Sequence, residues 1–441
     1  MYFSRKIIAL LCLPFFASGL VYGQQKTIAV PLSITQVWQR AEVSNKLLKM
    51  KNRKVAGAEE AILDAKAERL PEVRVEGEYA KVTNMPIYNN GLLHTHDQGE
   101  VIHTTYTVGA EAYLNLYNGN KTNLKIKAQE EKRQLAQEQL NLSISEIKLR
   151  CAGFYLEMQR SIVFKTLLLK DISDQEKQLE EIRALLKNGV VLKSDVLRAE
   201  LKLSRQKMSL LEIENDFTIA NQKLAILLGE PDDFQIQPDP IGTADVKVKE
   251  YEDYLNDGMA NSHELKISEQ ETELSKLELK NVKSNVSLKL GLFATYKYSY
   301  PQIQFYPYAI SLYGLGLGGL KASFPVSEFY HNKHKTEEAK IALHYQELEH
   351  SATSDQVRQD VKEAYLRYKE CLTRIKVAEE NIRHAQENLR IINNTYFNQL
   401  SLLTDLLDAD TQLLQTRFDL AASQIAAQLQ YYKLQKATGE L

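Results

Sequence analysis

The chain has 441 residues, a formal net charge of −2, 25% charged residues and 44% hydrophobic ones, a balance that excludes a disordered chain. Near-neutrality without a basic stripe leaves no electrostatic case for nucleic acid as a partner. No stretch after the N-terminus offers about 18 consecutive apolar residues, so no membrane-spanning helix is expected.

The first element is "MYFSRKIIALLCLPFFASGLVYG". Basic Arg5 and Lys6, an apolar core from Ile7 to Phe16 and small residues near Gly23 describe a secretory signal peptide over 1–23, removed before Gln24. The mature chain then keeps Cys151 and Cys371, whose spacing suggests neither metal nor redox work. Both fall on helical core positions and read as small core residues.

A helix follows from Ser33 to Arg69, capped through "LSITQVWQRA" and stopped by Pro71. The period then changes from 3.6 to 2. In "VRVEGEYAKV", Val73, Val75, Gly77 and Tyr79 alternate with Arg74, Glu76 and Glu78. In "TYTVGAEAYLNLY", Tyr106, Val108, Ala110, Ala112, Leu114 and Leu116 share a face opposite Thr107, Glu111 and Asn115. These make a β-hairpin at about 72–116 with the length and alternation of outer-membrane barrel strands. A helix from Thr122 to Leu186 would then run on the order of 100 Å at 1.5 Å per residue. The stretch "KNGVVLKSDVLRAELKL" (187–203) turns it into a second helix ending at Leu228, so a long helical hairpin occupies about 118–228.

"GEPDDFQIQPDPIGT" holds three of the ten prolines and marks a linker over 231–248. The same order of parts then recurs: a helix from Lys249 to Ser284, a β-hairpin at about 286–324 and a helical hairpin at about 327–438. In "VSLKLGLFATYKYSY", the residues from Val286 to Tyr300 alternate as before. Its partner "AISLYGLGLGGLKASF" is looser, and its glycines suggest a bulge near Gly318 and Gly319. "GLGLGG" fits a phosphate-loop spacing formally, but it lies inside a strand with no helix to follow.

The recurrence is a gapless repeat at an offset of 210. It pairs Tyr155 with Tyr365, Asn188 with Asn398, Asp195 with Asp405 and Gly229-Glu230 with Gly439-Glu440. The chain therefore reads as two structural repeats, 24–230 and 249–441. In the second, Val357, Val361, Ala364, Tyr368, Cys371, Ile375, Ala378, Ile382, Ala385, Leu389, Ile392 and Tyr396 keep strict 4-3 spacing. The first repeat keeps that seam except at Ser161, Lys165 and Gln175, so both are coiled coils. The fold class is mainly α with a small β part: long antiparallel coiled-coil hairpins plus four transmembrane β-strands per chain. Four strands cannot close a barrel and an open edge is not tolerated in lipid, so several chains must close one together. Physics alone allows two, three or more.

The order helix, β-hairpin, long helix, tip, helix, written twice, resembles the TolC family of outer-membrane efflux and secretion proteins. "YNGNK" (117–121) is similar to the step after that family's second strand. "NGVVLKSDV" and "YFNQLSLLTDLLDA" are similar to its two periplasmic tips. The resemblance implies a homotrimer with a 12-stranded barrel and a helical periplasmic tunnel. It implies the exit duct of a tripartite efflux or type I secretion system in the outer membrane of a Gram-negative bacterium. A periplasmic adaptor and an inner-membrane transporter would be its partners.

Asp405 and Asp408 are three apart and share a helix face. Three chains would aim six carboxylates at one axis, making a cation-binding constriction, which matches the family's aspartate ring at the closed entrance. The resemblance also gives Asp195 and Tyr396 closed-tip contacts, with Ser401 standing where the family has arginine. It gives Gly189, Val190 and Val191 to an adaptor-docking groove, while Gln399 stands where glycine is usual in the second copy.

His94, His96 and His103 lie near Asp97 and Glu100 in the loop between the first two long strands. Their spacing matches no defined metal site, and a polar surface loop is the reading. No nucleophile and base come together, so no enzyme, cofactor or metal centre is expected. The rival from another class is a secreted coiled-coil structural protein or adhesin without a pore.

Overall fold

The computed structural model describes residues 29–94, 97–240, 248–304 and 306–441. The expected signal peptide and His96 lie outside the described residues. A short strand β1 (Val30–Leu32) precedes helices α1 (Ile34–Ser44) and α2 (Lys46–Ala67). Strands β2 (Glu72–Lys81), β3 (Met85–Ile87), β4 (Asp97–Gly99) and β5 (Thr104–Asn118) lead into α3 (Lys121–Lys187) and α4 (Lys193–Leu228). After β6 (Ile236–Pro238) come α5 (Tyr251–Asn261), α6 (His263–Lys283), β7 (Lys289–Tyr300), β8 (Tyr313–Ser323), α7 (Glu328–Phe397) and α8 (Leu403–Ala437).

Ser33 caps α1 in a reciprocal box with Gln36: the Ser33 N–H donates to Gln36 Oε1 at 3.0 Å and the Gln36 N–H to Ser33 Oγ at 3.3 Å. The single helix expected from 33 to 69 is broken at Asn45, whose ψ is 128°. The Asn45 amide oxygen accepts from the Leu47 and Leu48 N–H groups, and its Nδ2 donates to the Leu227 carbonyl at 3.0 Å. One residue thus ends a helix, starts the next and ties both to α4. Ser262 breaks the 249–284 helix in the same way, with a ψ of 126° and its hydroxyl accepting from the Leu265 N–H.

The proline-rich join is more than a tether, because β6 pairs in parallel with β1. Asn221 on α4 holds it, donating to the Phe234 carbonyl at 2.7 Å and accepting the Ile236 N–H at 2.9 Å. The Tyr155 hydroxyl donates to the Leu32 carbonyl and accepts the Asp239 N–H.

Helices α3 and α7 contain 67 and 70 residues, each about 100 Å long at 1.5 Å per residue. No described helix is both long and apolar enough to cross a membrane. Three apolar clusters hold the helical part. One joins α1, α2, α3 and α4 around Met158 and Leu224; one lies at the tips; one joins α5, α7 and α8 around Val361 and Leu434.

The long strands form one antiparallel sheet in the order β2-β5-β7-β8. Its register keeps side-chain type in rows. Val75, Ala110 and Tyr296 align, as do Tyr79, Tyr106 and Tyr300. On the opposite face Arg74, Glu111 and Thr295 align; Lys297 pairs with Glu111 at 2.5 Å and Arg74 with Glu76 at 3.6 Å. One face is therefore apolar and the other carries the ion pairs, together with Tyr113, Phe293, Leu315 and Leu317.

The bulge expected near Gly318 and Gly319 is absent: β7 and β8 pair without a register shift from Lys289↔Ser323 to Ser299↔Tyr313. Glycines of β8 clear space for rings instead. A Cβ on Gly316 would lie 3.1 Å from the Tyr296 ring, and one on Gly319 would lie 3.3 Å from Phe293. The bulge falls in β5, between Asn115 and Tyr117, so Tyr117 takes the apolar-face position opposite Leu290 that alternation gave to Leu116. Strand β7 also starts later than expected, since Val286 lies in a 3-10 turn.

Candidate functional site at the hairpin tips

The two tips are built alike. After α3 the Gly189 N–H donates to the Leu186 carbonyl and the Val190 N–H to that of Leu185, at 3.0 and 2.9 Å. After α7 the Gln399 N–H donates to Tyr396 and the Leu400 N–H to Thr395, at 2.9 and 2.8 Å. This paired closure needs a left-handed residue. Gly189 supplies it at φ +74°, and Gln399 supplies it at +63°. Space around Gly189 is open, so glycine is there for its backbone. Gln399→Gly is accordingly expected to stabilise the tip by about 1 kcal/mol and Gly189→Gln to cost about as much, read as opposite shifts of the thermal midpoint.

Each return helix starts on the same aspartate. The Asp195 carboxylate accepts the Leu192 N–H at 3.1 Å, and that of Asp405 accepts the Leu402 N–H at 3.0 Å. Spacing alone paired Asp405 with Asp408 as equals. The structure separates them: Asp405 caps α8, whereas Asp408 is exposed and has no ion-pair partner among the described residues. Asp408 lines a groove between α4 and α8 with Arg198, Lys202 and Arg205.

Tyr396 is buried in the tip cluster with Leu179, Ile182, Val196, Ala199, Leu403, Leu406 and Leu407, drawn from both helical hairpins. Its hydroxyl has no hydrogen-bond partner within the described residues. Burial raises the Tyr396 phenol above its ordinary value, and the Asp195 carboxylate adds to the shift. The two residues are thus brought together without a hydrogen bond. Ser401 is engaged locally, accepting from the Thr395 hydroxyl at 3.2 Å.

Val191 packs against the tip cluster, while Val190, Leu192, Phe397, Leu400 and Leu402 remain exposed. The end of the molecule therefore carries uncovered apolar side chains around the two turns. Sequence reasoning missed a polar cluster just behind the tip. It is centred on Lys202 and Asp410, whose side chains meet at 2.6 Å. The available signal was Gln175, one of three polar residues on the seam of the first repeat.

Between β2 and β5, His103 Nδ1 lies 2.9 Å from the Val82 carbonyl, and Asn89 donates to Asp97. Among the described residues no three histidine, cysteine or acidic groups converge as metal ligands would.

A sheet with one apolar and one ionic face, joined to helical hairpins about 100 Å long, defines the class of helix-stalked outer-membrane channels. The outer membrane efflux protein family matches residues 37–230 and 257–440, and the chain belongs to it. Membership makes it a transport channel of the Gram-negative outer membrane and not an enzyme. Solved structures share the fold. The outer membrane protein VceC of Vibrio cholerae is 17% identical, with a TM-score of 0.76 covering 92% of this chain and 96% of that one. CusC is 15% identical, with a TM-score of 0.79 covering 92% of each chain. The outer membrane channel MtrE of Neisseria gonorrhoeae, solved in its open state, is 14% identical, with a TM-score of 0.73 covering 92% of this chain and 88% of that one. No curated protein matches.

Proposed function

We propose that three copies of this chain form the exit duct of a tripartite efflux or type I secretion system, gated at the hairpin tips. The carrying observation is the four-stranded sheet, whose apolar face suits lipid, whose ionic face suits a lumen, and whose outer strands β2 and β8 each have one edge unpaired among the described residues. Joining β8 of one copy to β2 of the next would satisfy those edges and give twelve strands in a trimer. Each chain would contribute two repeats, 24–230 and 249–441, joined through 231–248.

The tips would form the periplasmic entrance. Asp408 from three chains would set a ring of carboxylates, with Asp405 beside it as both cap and charge. Tyr396 and Asp195 would hold the closed tip. Gly189, Val190 and Val191, with the exposed apolar residues around them, would receive a periplasmic adaptor that links the duct to an inner-membrane transporter. MtrE, solved in an open state, supports reading this fold as a channel that opens and closes. The test is conductance of the purified protein in planar bilayers: discrete channel currents are expected, and a protein that never conducts would sink this reading.

A further inference from the structure

Behind the apolar tip cluster, three helices from both hairpins converge on one carboxylate. Asp410 on α8 meets Lys202 on α4, with side chains only 18% and 15% exposed. Lys202 Nζ also donates to the Leu407 carbonyl at 3.0 Å, and Gln175 on α3 donates to the same Asp410 oxygen at 2.5 Å. One turn further from the tip, Gln206 on α4 donates to the carboxylate of Asp171 on α3, and both residues are buried. Among the described residues, Lys202 with Asp410 is the one ion pair joining α3 and α4 to α7 and α8.

A single ion pair between two long levers has mechanical consequences. Elsewhere α3 meets α8 through contacts such as the stacked rings of Phe164 and Phe418, which carry no charge. A largely desolvated ion pair with further hydrogen bonds to it is directional, and losing one partner leaves a charge uncompensated in a site mostly closed to water. We propose that this cluster is the element through which the two hairpins of one chain hold the packed tip together, and that protonation of Asp171 tightens it. The proposal rests on the gated-channel reading above.

The charged groups facing Asp171 are Asp174 on its own helix, Lys202 on α4, and Asp410 and Arg417 on α8. Burial pushes the Asp171 carboxyl up to about 6; the Asp410 and Asp174 carboxylates act in the same direction, while Lys202 and Arg417 oppose them. Because the packed tip holds this proton more tightly than the unpacked one, proton uptake favours packing. The contribution is fully present below the ordinary carboxylate value of 3.8 and is lost as the pH rises through about 6. Above that, the charged Asp171 and Asp410 carboxylates repel each other while both feel the charge of Lys202.

The experiment is single-channel recording of the purified full-length protein at pH 5 and pH 7.5. Wild type should spend less time open at pH 5. Asp171→Asn, a neutral isostere, should abolish that difference and behave at both values as wild type does at pH 5. Lys202→Met should raise open probability about tenfold or more at either pH, and the charge exchange Lys202→Asp/Asp410→Lys should return it toward wild type. If Lys202→Met does not assemble, Asp410→Asn takes its place with the same expected rise. A pH response that survives Asp171→Asn overturns the proton-sensing part. Unchanged gating in the Lys202 or Asp410 variant overturns the tie, while channel activity in wild type leaves the channel reading intact. A wild type that never conducts instead brings down the channel reading itself.

Discussion

Leu406→Ala is expected to destabilise the tip by about 3 kcal/mol, the usual cost of removing a fully buried leucine that leaves a cavity. Leu406 is 1% exposed and sits where Tyr396 and Leu403 of the second hairpin meet Ile182 and Val196 of the first. The loss should appear as a lower denaturant midpoint and as faster amide exchange over 187–193 and 398–403. Leu402→Ala, four residues away and 70% exposed, should change stability by no more than about 0.5 kcal/mol. Equal effects from the two substitutions would show that the hairpins are not held through this cluster.

Val75→Arg is the second large effect. Val75 lies in the apolar row with Ala110 and Tyr296, on the face assigned to lipid. An arginine near the bilayer midplane of a barrel costs about 2–4 kcal/mol. The variant should therefore insert poorly into the outer membrane, measured as the loss of heat-resistant oligomer in membrane fractions. Glu76→Gln, one residue along on the ionic face, should insert normally. Tolerance at 75 with intolerance at 76 would mean that the faces are reversed.

Much of this architecture is legible in the sequence because its determinants are periodic and local. Alternation in "VRVEGEYAKV" and "TYTVGAEAYLNLY" places the strands, the 4-3 seam gives the coiled coils, and Gly189 marks the tip turn. Features that depend on partners far along the chain were not legible. Asn45 breaks its helix partly by donating to Leu227, a contact that spacing within one helix does not encode. The glycines of β8 looked like a bulge because a strand alone does not reveal the rings of Tyr296 and Phe293 lying across them.

The candidate site divides in the same way. The repeat made Asp195 and Asp405 equivalent, and the structure gives both the same capping hydrogen bond. What the sequence hid was the asymmetry between Asp405, engaged with its own backbone, and Asp408, free toward a groove lined by Arg198 and Arg205. The pairing of Lys202 with Asp410 was equally hidden, because it depends on how the two hairpins are staggered against each other.

The asymmetry sharpens how a charged entrance should be tested. Asn at 405 retains much of a cap's hydrogen-bonding capacity, so Asp405→Asn/Asp408→Asn removes charge while leaving the helix start in place. The most direct measurement is planar-bilayer conductance of the purified protein, wild type beside this double variant, with divalent cations added from the side of the tips. Wild type should form discrete channels that divalent cations block, and the double variant should conduct with that block lost. Block that persists undiminished in the double variant would contradict an aspartate-lined entrance at the tips.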